Sequence, residues 1–204
     1  MLKKRYHHGN LRRTLIDASI AIIEESGPEA LTLREVARRA KVSHTAPYRH
    51  FQDKSDLLAA VAEQGFIDLR AAIEQAWSHD TPPLDRLRQC GIAYVAFALE
   101  RTAFFRVMFG AELDPQRHPS ARAAAEAAFE TLVTVVAACQ EAKQVSSGDT
   151  RKKACIAWSL VHGISHLAIG HQLTLKSRED IARFIGSSNE VLVNGLGTSR
   201  SGSP

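Results

Sequence analysis

The chain has 204 residues, 45% apolar and 24% charged, which suits a globular fold with room for one large or two small domains. Its net charge of +4 is local: residues 1–56 hold 11 Lys/Arg against 7 Asp/Glu, while residues 57–204 hold 15 of each, an excess that favours a polyanion partner. Cys90, Cys139 and Cys155 are odd in number and lack CxxC spacing, which argues for reduced cytoplasmic thiols and against a disulfide framework.

Residues 1–9 form a basic arm with Lys3, Lys4, Arg5, Tyr6, His7 and His8 and no apolar period to fold it. Asn10 is read as the cap of a first helix reaching about Ser26, with Leu15, Ala18, Ile22 and Ile23 as its packed stripe and Gly27-Pro28 as its stop. Thr32 and Glu35 then make an S/T-x-x-E capping box, so a second helix should start at Leu33. Its Leu33, Val36, Ala37 and Ala40 fall at i, i+3, i+4 and i+7, leaving Arg34, Arg38, Arg39 and Lys41 on the other faces. Lys41-Val42 is a short connection, Ser43 caps a helix over 44–51 anchored by Phe51 and Val42, and Asp53 caps the next. That spacing is helix-turn-helix geometry, in which the helix after the turn enters the major groove of DNA.

Thr32, Arg34, Ser43, His44, Thr45, Tyr48, Arg49, His50 and Lys54 are the candidate DNA contacts. Arginine reads guanine edges, whereas Thr, Tyr and His bond phosphates. Lys54 opens a helix, where the dipole disfavours a cation unless a negative group such as a phosphate lies nearby. The order Val42, Ser43, Tyr48, Phe51, Lys54, Leu57 resembles the V-S-x-x-x-x-Y-x-x-F-x-x-K-x-x-L signature of the TetR/AcrR family of bacterial repressors. The chain departs from it at Ala46 and Pro47, where the family often has Thr and Leu. Pro47 has no N–H to donate to the Ser43 carbonyl, which should tighten or distort the first turn of the recognition helix.

Beyond Lys54 the apolar spacing of Leu57, Leu58, Val61, Phe66, Leu69, Ile73 and Trp77 predicts one long helix. After a break at 78–83, with Thr81 and Pro82 as N-cap and N1, helices are expected over 84–99 and 103–109. A loop over 110–119 contains Asp114-Pro115, and Pro119 opens a helix whose Ala125, Phe129, Leu132, Val136 and Cys139 face the core. The helix over about 150–172 has two apolar stripes, Ala154, Ala157, Val161, Ile164, Ala168 and Ile156, Leu160, Gly163, Leu167, so it needs covering on more than one side. A second subunit is the expected cover, with Gly163 and Ala157 permitting close approach and Ile164 and Ile181 at the contact. A last helix starts at Arg178 with Ser177 as cap and a possible interruption at 186–188, and 195–204 reads as a disordered tail. The longest mainly apolar run, 154–169, is shorter than the roughly 20 residues that span a bilayer, so no membrane is expected.

Trp158, His162 and Gly163 are similar to the W-x-x-x-H-G motif of the WHG ligand domains within the same family. The two resemblances together imply an all-α fold: a DNA-binding domain over 1–56, a regulatory and dimerisation domain over 57–194, and the tail. They imply a cytoplasmic, homodimeric repressor that a small, mostly apolar effector releases from a palindromic operator. Phe66, Ile73, Trp77, Phe97, Phe105, Phe129, Trp158 and His162 are the candidate effector contacts, each of which core packing would also explain. His162 and His166, with Cys155 and His171 nearby, raise metal sensing as an alternative, but the helix face offers no carboxylate, so neither metal nor cofactor is expected. Enzymatic function is not expected: Ser159 and His162 share a face, yet no G-x-S-x-G, Walker loop, H-E-x-x-H or dinucleotide fingerprint occurs. An interaction-only module would leave the coincidence of basic excess and helix-turn-helix unexplained.

Overall fold

The computed structural model describes residues 11–110 and 116–194, which form eight α-helices and no strand, as the all-α expectation requires. They are α1 (Leu11–Ser26), α2 (Leu33–Arg39), α3 (Lys54–Gln75), α4 (Pro83–Glu100), α5 (Thr102–Met108), α6 (Pro119–Glu141), α7 (Thr150–Ile169) and α8 (Arg178–Asn194). Short 3₁₀ turns occupy Pro28–Ala30 and Pro47–Arg49. The basic arm, the Asn10 cap, the Asp114-Pro115 pair and the tail lie outside the described residues.

Side-chain caps set most of the helix starts. Thr32 Oγ1 accepts the Glu35 N–H at 3.1 Å, Asp53 Oδ1 that of Asp56 at 3.0 Å, Asp149 Oδ1 that of Lys152 at 3.0 Å and Ser177 Oγ that of Asp180 at 3.2 Å. The capping box at Thr32 is only half closed, because the Glu35 carboxylate turns outward to Arg38 at 2.8 and 2.5 Å. Thr81 is not a cap: its hydroxyl accepts the Ser78 N–H at 3.1 Å and closes the preceding loop, so α4 starts at Pro83. Residues 186–188 do not interrupt α8.

The helix expected over 44–51 is replaced by the 3₁₀ turn Pro47–Arg49. Pro47 lacks the N–H that would bond the Ser43 carbonyl, and that carbonyl accepts the Ala46 N–H instead, at 2.9 Å. Ladder bonds three residues apart follow, Arg49 N–H to Ala46 and His50 N–H to Pro47, before Phe51 recovers the α-type spacing to Pro47 at 3.0 Å.

Three segments turn out of their helices in the left-handed region without glycine, at Lys41 (φ 55°), Lys143 (φ 55°) and His171 (φ 58°). Each is followed by an N–H that reaches five residues back, Val42 to Ala37, Gln144 to Cys139 and Gln172 to Leu167, the Schellman closure.

The contacts divide the chain into two compact units: one of the residues up to Leu69 with Arg101–Ala128, the other of Arg70–Glu100 with the residues from Phe129 onward. The 56/57 boundary expected from the sequence lies inside α3, two residues after its start. In the first unit Leu15, Ile23, Leu31, Val36, Leu57, Val61, Phe104 and Phe105 are fully buried. Gly65 admits Met108 there, since an added Cβ would stand 2.6 Å from the Met108 sulfur.

In the second unit α4 is covered by α7 and α8, and Gly91 allows the approach: a Cβ there would lie 3.0 Å from Ile185 and 3.3 Å from Val161. Cys90 and Cys139 are buried, and burial pushes the Cys90 thiol up to about 12 and raises that of Cys139, whereas Cys155 is exposed. The first stripe of α7 is buried within the chain itself, Ala157 and Ile164 included, as is Ile181 of α8. These three, expected at a subunit contact, are therefore already occupied. In the second stripe Ile156 is 51% and Leu167 46% exposed, and α8 exposes Phe184 at 38% and Val191 at 44%. One described helix, α6, is long and apolar enough by composition to cross a bilayer, though it carries Arg122, Glu126 and Glu130 and buries Val135, Val136 and Cys139.

A left-handed residue with a side chain costs about 1 kcal/mol relative to glycine. Lys143→Gly, at an exposed turn, should therefore raise the unfolding free energy by about that amount, read from the urea midpoint. A lower midpoint would show that the Lys143 side chain contributes more than its backbone strain costs.

Candidate nucleic-acid interface and C-terminal cavity

Of the nine candidate DNA contacts, Thr32, Arg34, Ser43, His44, Thr45, Tyr48, Arg49 and His50 are exposed and Lys54 is half-buried at the first residue of α3. Tyr48, 55% exposed, presents its ring to solvent because the two residues before it, Ala46 and Pro47, turn inward and are buried. The proline that removes a helical turn thus serves as the anchor of that turn. Phe51 is buried on the same segment, with the Arg12 guanidinium 5.8 Å above its ring. Ser43 and Thr45 share a hydroxyl contact at 3.2 Å.

The cations around this surface fall into two groups. Arg12 pairs with Glu63 at 3.5 Å, Arg13 with Asp17 at 2.8 Å, Arg38 with Glu35 and Arg39 with Glu25. The hydrogen bonds from Arg38 and Arg39 hold the Glu35 and Glu25 carboxyls below the usual range. Arg34, Lys41, Arg49 and Lys54 make no ion pair among the described residues. Lys41, exposed in the left-handed turn after α2, adds a cation to the nine; its place on the basic side of α2 was the available sequence signal.

The eight candidate effector contacts do not form one group. Phe66 and Phe105 belong to the first unit, where both rings meet Phe109, at 5.3 and 4.8 Å between centroids. The other six belong to the second unit. Phe97 lines a cavity of about 400 Å³ with Ala72, Ala76, Ile92, Ala93 and Ala96, at whose rim Arg178 pairs with Glu100 at 3.0 Å. Ile73 is buried, and the Trp77 ring lies under the Arg86 guanidinium at 5.2 Å, its indole N–H buried near the Cys90 thiol.

Trp158 and His162 are instead joined through Tyr94 of α4, a residue the sequence reading passed over. Trp158 Nε1–H donates to the Tyr94 oxygen at 3.1 Å, and that oxygen lies 2.8 Å from His162 Nδ1. With the indole proton directed at the tyrosine oxygen, the phenol proton goes to Nδ1, which leaves the proton of a neutral imidazole on Nε2. Burial, and then the neighbouring His166, lower the His162 pKa and favour that neutral ring. Phe129 stands edge-on to Trp158 at 6.1 Å and His166 edge-on to His162 at 4.6 Å. Among the described residues no three His, Cys, Asp or Glu side chains are grouped to hold a metal.

Residues 15–61 match the family model described as bacterial regulatory proteins, tetR family, and residues 87–186 match the tetracyclin repressor-like C-terminal domain. A solved structure of a protein with unknown function from Rhodococcus sp. RHA1 is 33% identical, with 96% of this chain and all of that one covered at a TM-score of 0.82. The transcriptional repressor KstR of Mycolicibacterium smegmatis is 34% identical over 76 residues, 37% of each chain. The transcriptional regulator FadR of Bacillus subtilis, solved in complex with stearoyl-CoA, shares the fold at a TM-score of 0.73 and 15% identity, covering 91% of this chain and 99% of its own. The chain spans between 24% and 58% of the length of the curated relatives it matches.

The lowered pKa of His162 carries a sign that stability measurements can read. An unfolded histidine takes up a proton near pH 6.5 and the folded ring only at lower pH, so its contribution is complete above about pH 6.5 and declines as pH falls through the folded value. His162→Gln should therefore lose less stability than the parent between about pH 7.5 and about pH 5, measured by urea unfolding. Parallel losses in the two proteins would remove the assignment.

Proposed function

The chain belongs to the TetR family of bacterial regulatory proteins, and from that premise we propose that it is a homodimeric repressor released from a palindromic operator by a small, mostly apolar effector. The observation that carries the DNA assignment is the set Arg34, Lys41, Arg49 and Lys54, which make no ion pair among the described residues, together with the exposed Tyr48. Cations without an internal partner are free to displace counterions from a phosphate backbone. The DNA-binding part is assigned to 1–56 and the regulatory part, of the WHG type, to 57–194.

The dimer reading is supported by the open stripe Ile156, Gly163 and Leu167 of α7 with Phe184 and Val191 of α8. Exposed apolar groups on two helices favour a like surface, and a two-fold pairing would present two recognition turns to a two-fold operator. For the effector, the support is the hydrogen-bonded trio Trp158, Tyr94 and His162 with Phe129 edge-on to Trp158, a few placed polar groups among aromatic rings. The stearoyl-CoA bound by FadR and the repressor name of KstR agree with this reading. Transmission is assigned to α3, which runs unbroken from Lys54 to Gln75.

Selection of duplexes from a random pool should return an inverted repeat; a single unrepeated half-site would sink the dimeric reading. Tyr48→Ala and Lys54→Ala should weaken binding to every duplex, with Lys54→Ala reducing the salt slope by about 0.9. Arg49→Ala should relax sequence preference by about 1 to 3 kcal/mol, and equal losses on selected and random DNA would make Arg49 a phosphate contact instead. Gly163→Arg adds a side chain where no other element among the described residues lies within 4 Å of an added Cβ, so the protomer should fold as before while sedimentation shows monomer. An intact Gly163→Arg dimer would move the interface elsewhere.

A further inference from the structure

The first turn of α3 carries Asp53 and Asp56 on either side of Lys54, a net charge of −1 on the segment assigned to phosphate contact. A phosphate backbone approaching that turn meets two carboxylates for one cation. In this structure neither carboxylate is left to itself. Asp53 Oδ1 caps the Asp56 N–H at 3.0 Å and Asp56 Oδ2 accepts the Gln52 N–H at 3.0 Å. The other oxygen of each faces Arg117, whose Nη2 stands 2.5 Å from Asp53 Oδ2 and 3.2 Å from Asp56 Oδ1.

The next residue grips the same turn. His118, 9% exposed, is 3.1 Å from the Ser55 hydroxyl through Nε2, while its Nδ1 is 3.8 Å from Asp56 Oδ1. Two consecutive residues just before α6 therefore hold the cap of α3, Asp53, and two residues of its first turn, Ser55 and Asp56, some sixty positions earlier in the chain. Arg117 brings the formal charge of the turn from −1 to zero, and its hydrogen bond holds the Asp53 carboxyl below the usual range.

We propose that Arg117 and His118 are positioning residues for DNA binding, fixing the first turn of α3 and cancelling the carboxylates beside Lys54 so that this cation can meet a phosphate. The inference rests on the reading of Lys54 as a phosphate contact. Arg117 acts through α3 and does not itself touch DNA, which separates this role from that of one more surface cation.

The test uses the full chain and a random-sequence duplex in a salt series. Arg117→Gln should bind about fivefold more weakly, with unchanged melting. Asparagine caps a helix as well as aspartate, so adding Asp53→Asn and Asp56→Asn to Arg117→Gln removes the charge, keeps the cap and should restore affinity to within about twofold. In a Lys54→Ala background Arg117→Gln should change nothing further, because the two act through one contact. Unchanged binding by Arg117→Gln, a loss that the asparagines leave unrestored, or losses that add to that of Lys54→Ala would each overturn the proposal. Should Arg117→Gln fail to fold, the pair Asp53→Asn and Asp56→Asn alone decides: binding at least as tight as the parent's supports it and weaker binding overturns it. If Lys54→Ala itself binds like the parent, the phosphate assignment fails; if Lys54→Ala is weakened and Arg117→Gln is not, only the positioning role falls.

Discussion

Glu25 and Glu35 each hold one arginine of α2 by charge-assisted hydrogen bonds, and the character of the helix-turn-helix surface depends on that division. Arg39 and Arg38 are spoken for, so the basic side of α2 splits. Among the described residues its cations at the two ends, Arg34 and Lys41, meet no carboxylate, nor do Arg49 and Lys54 beyond the turn. A count of charges along residues 1–56 registers an excess of four, but pairing decides where the excess can be used. Exposed pairs of this kind add little to stability. Their consequence is the selection of which guanidinium and ammonium groups stay hydrated and free.

Much of the local structure was legible because short-range chemistry dictates it. The starts at Leu33, Lys54, Pro119 and Arg178 follow from caps and a proline read directly along the chain. The segment over 44–51 shows where the same reasoning stopped short: the missing N–H of Pro47 was seen, yet the expectation of a distorted helix underestimated a loss that leaves a single 3₁₀ turn. Side-chain partners distant in sequence were not legible at all. Tyr94 meets Trp158 and His162 across 64 and 68 residues, and nothing in the apolar run of α4 marks it as their link. Nor does local pattern reveal that residues 101–128 join the first unit, which separates Phe66 and Phe105 from the other six candidate effector contacts.

The polar trio also changes what His162 means. Read along α7 alone, it is an imidazole one turn from Trp158. With Tyr94 between them, its Nδ1 is engaged, its neutral form is favoured and the proton of that form stands on Nε2. A group that must remain neutral to keep its hydrogen bond suits an uncharged acceptor better than a carboxylate, whose field would draw a second proton onto the ring.

The three cysteines differ in a way that experiment can use. Burial holds Cys90 and Cys139 in the thiol form, so at neutral pH neither presents the thiolate that alkylating reagents attack, while Cys155 stands exposed on α7, next to Ile156. The unmodified chain therefore carries a single addressable handle for a fluorophore or spin label, placed on the helix whose open stripe includes Ile156, Gly163 and Leu167. In the proposed dimer, distances between two such labels would report subunit separation directly, without introducing or deleting any residue.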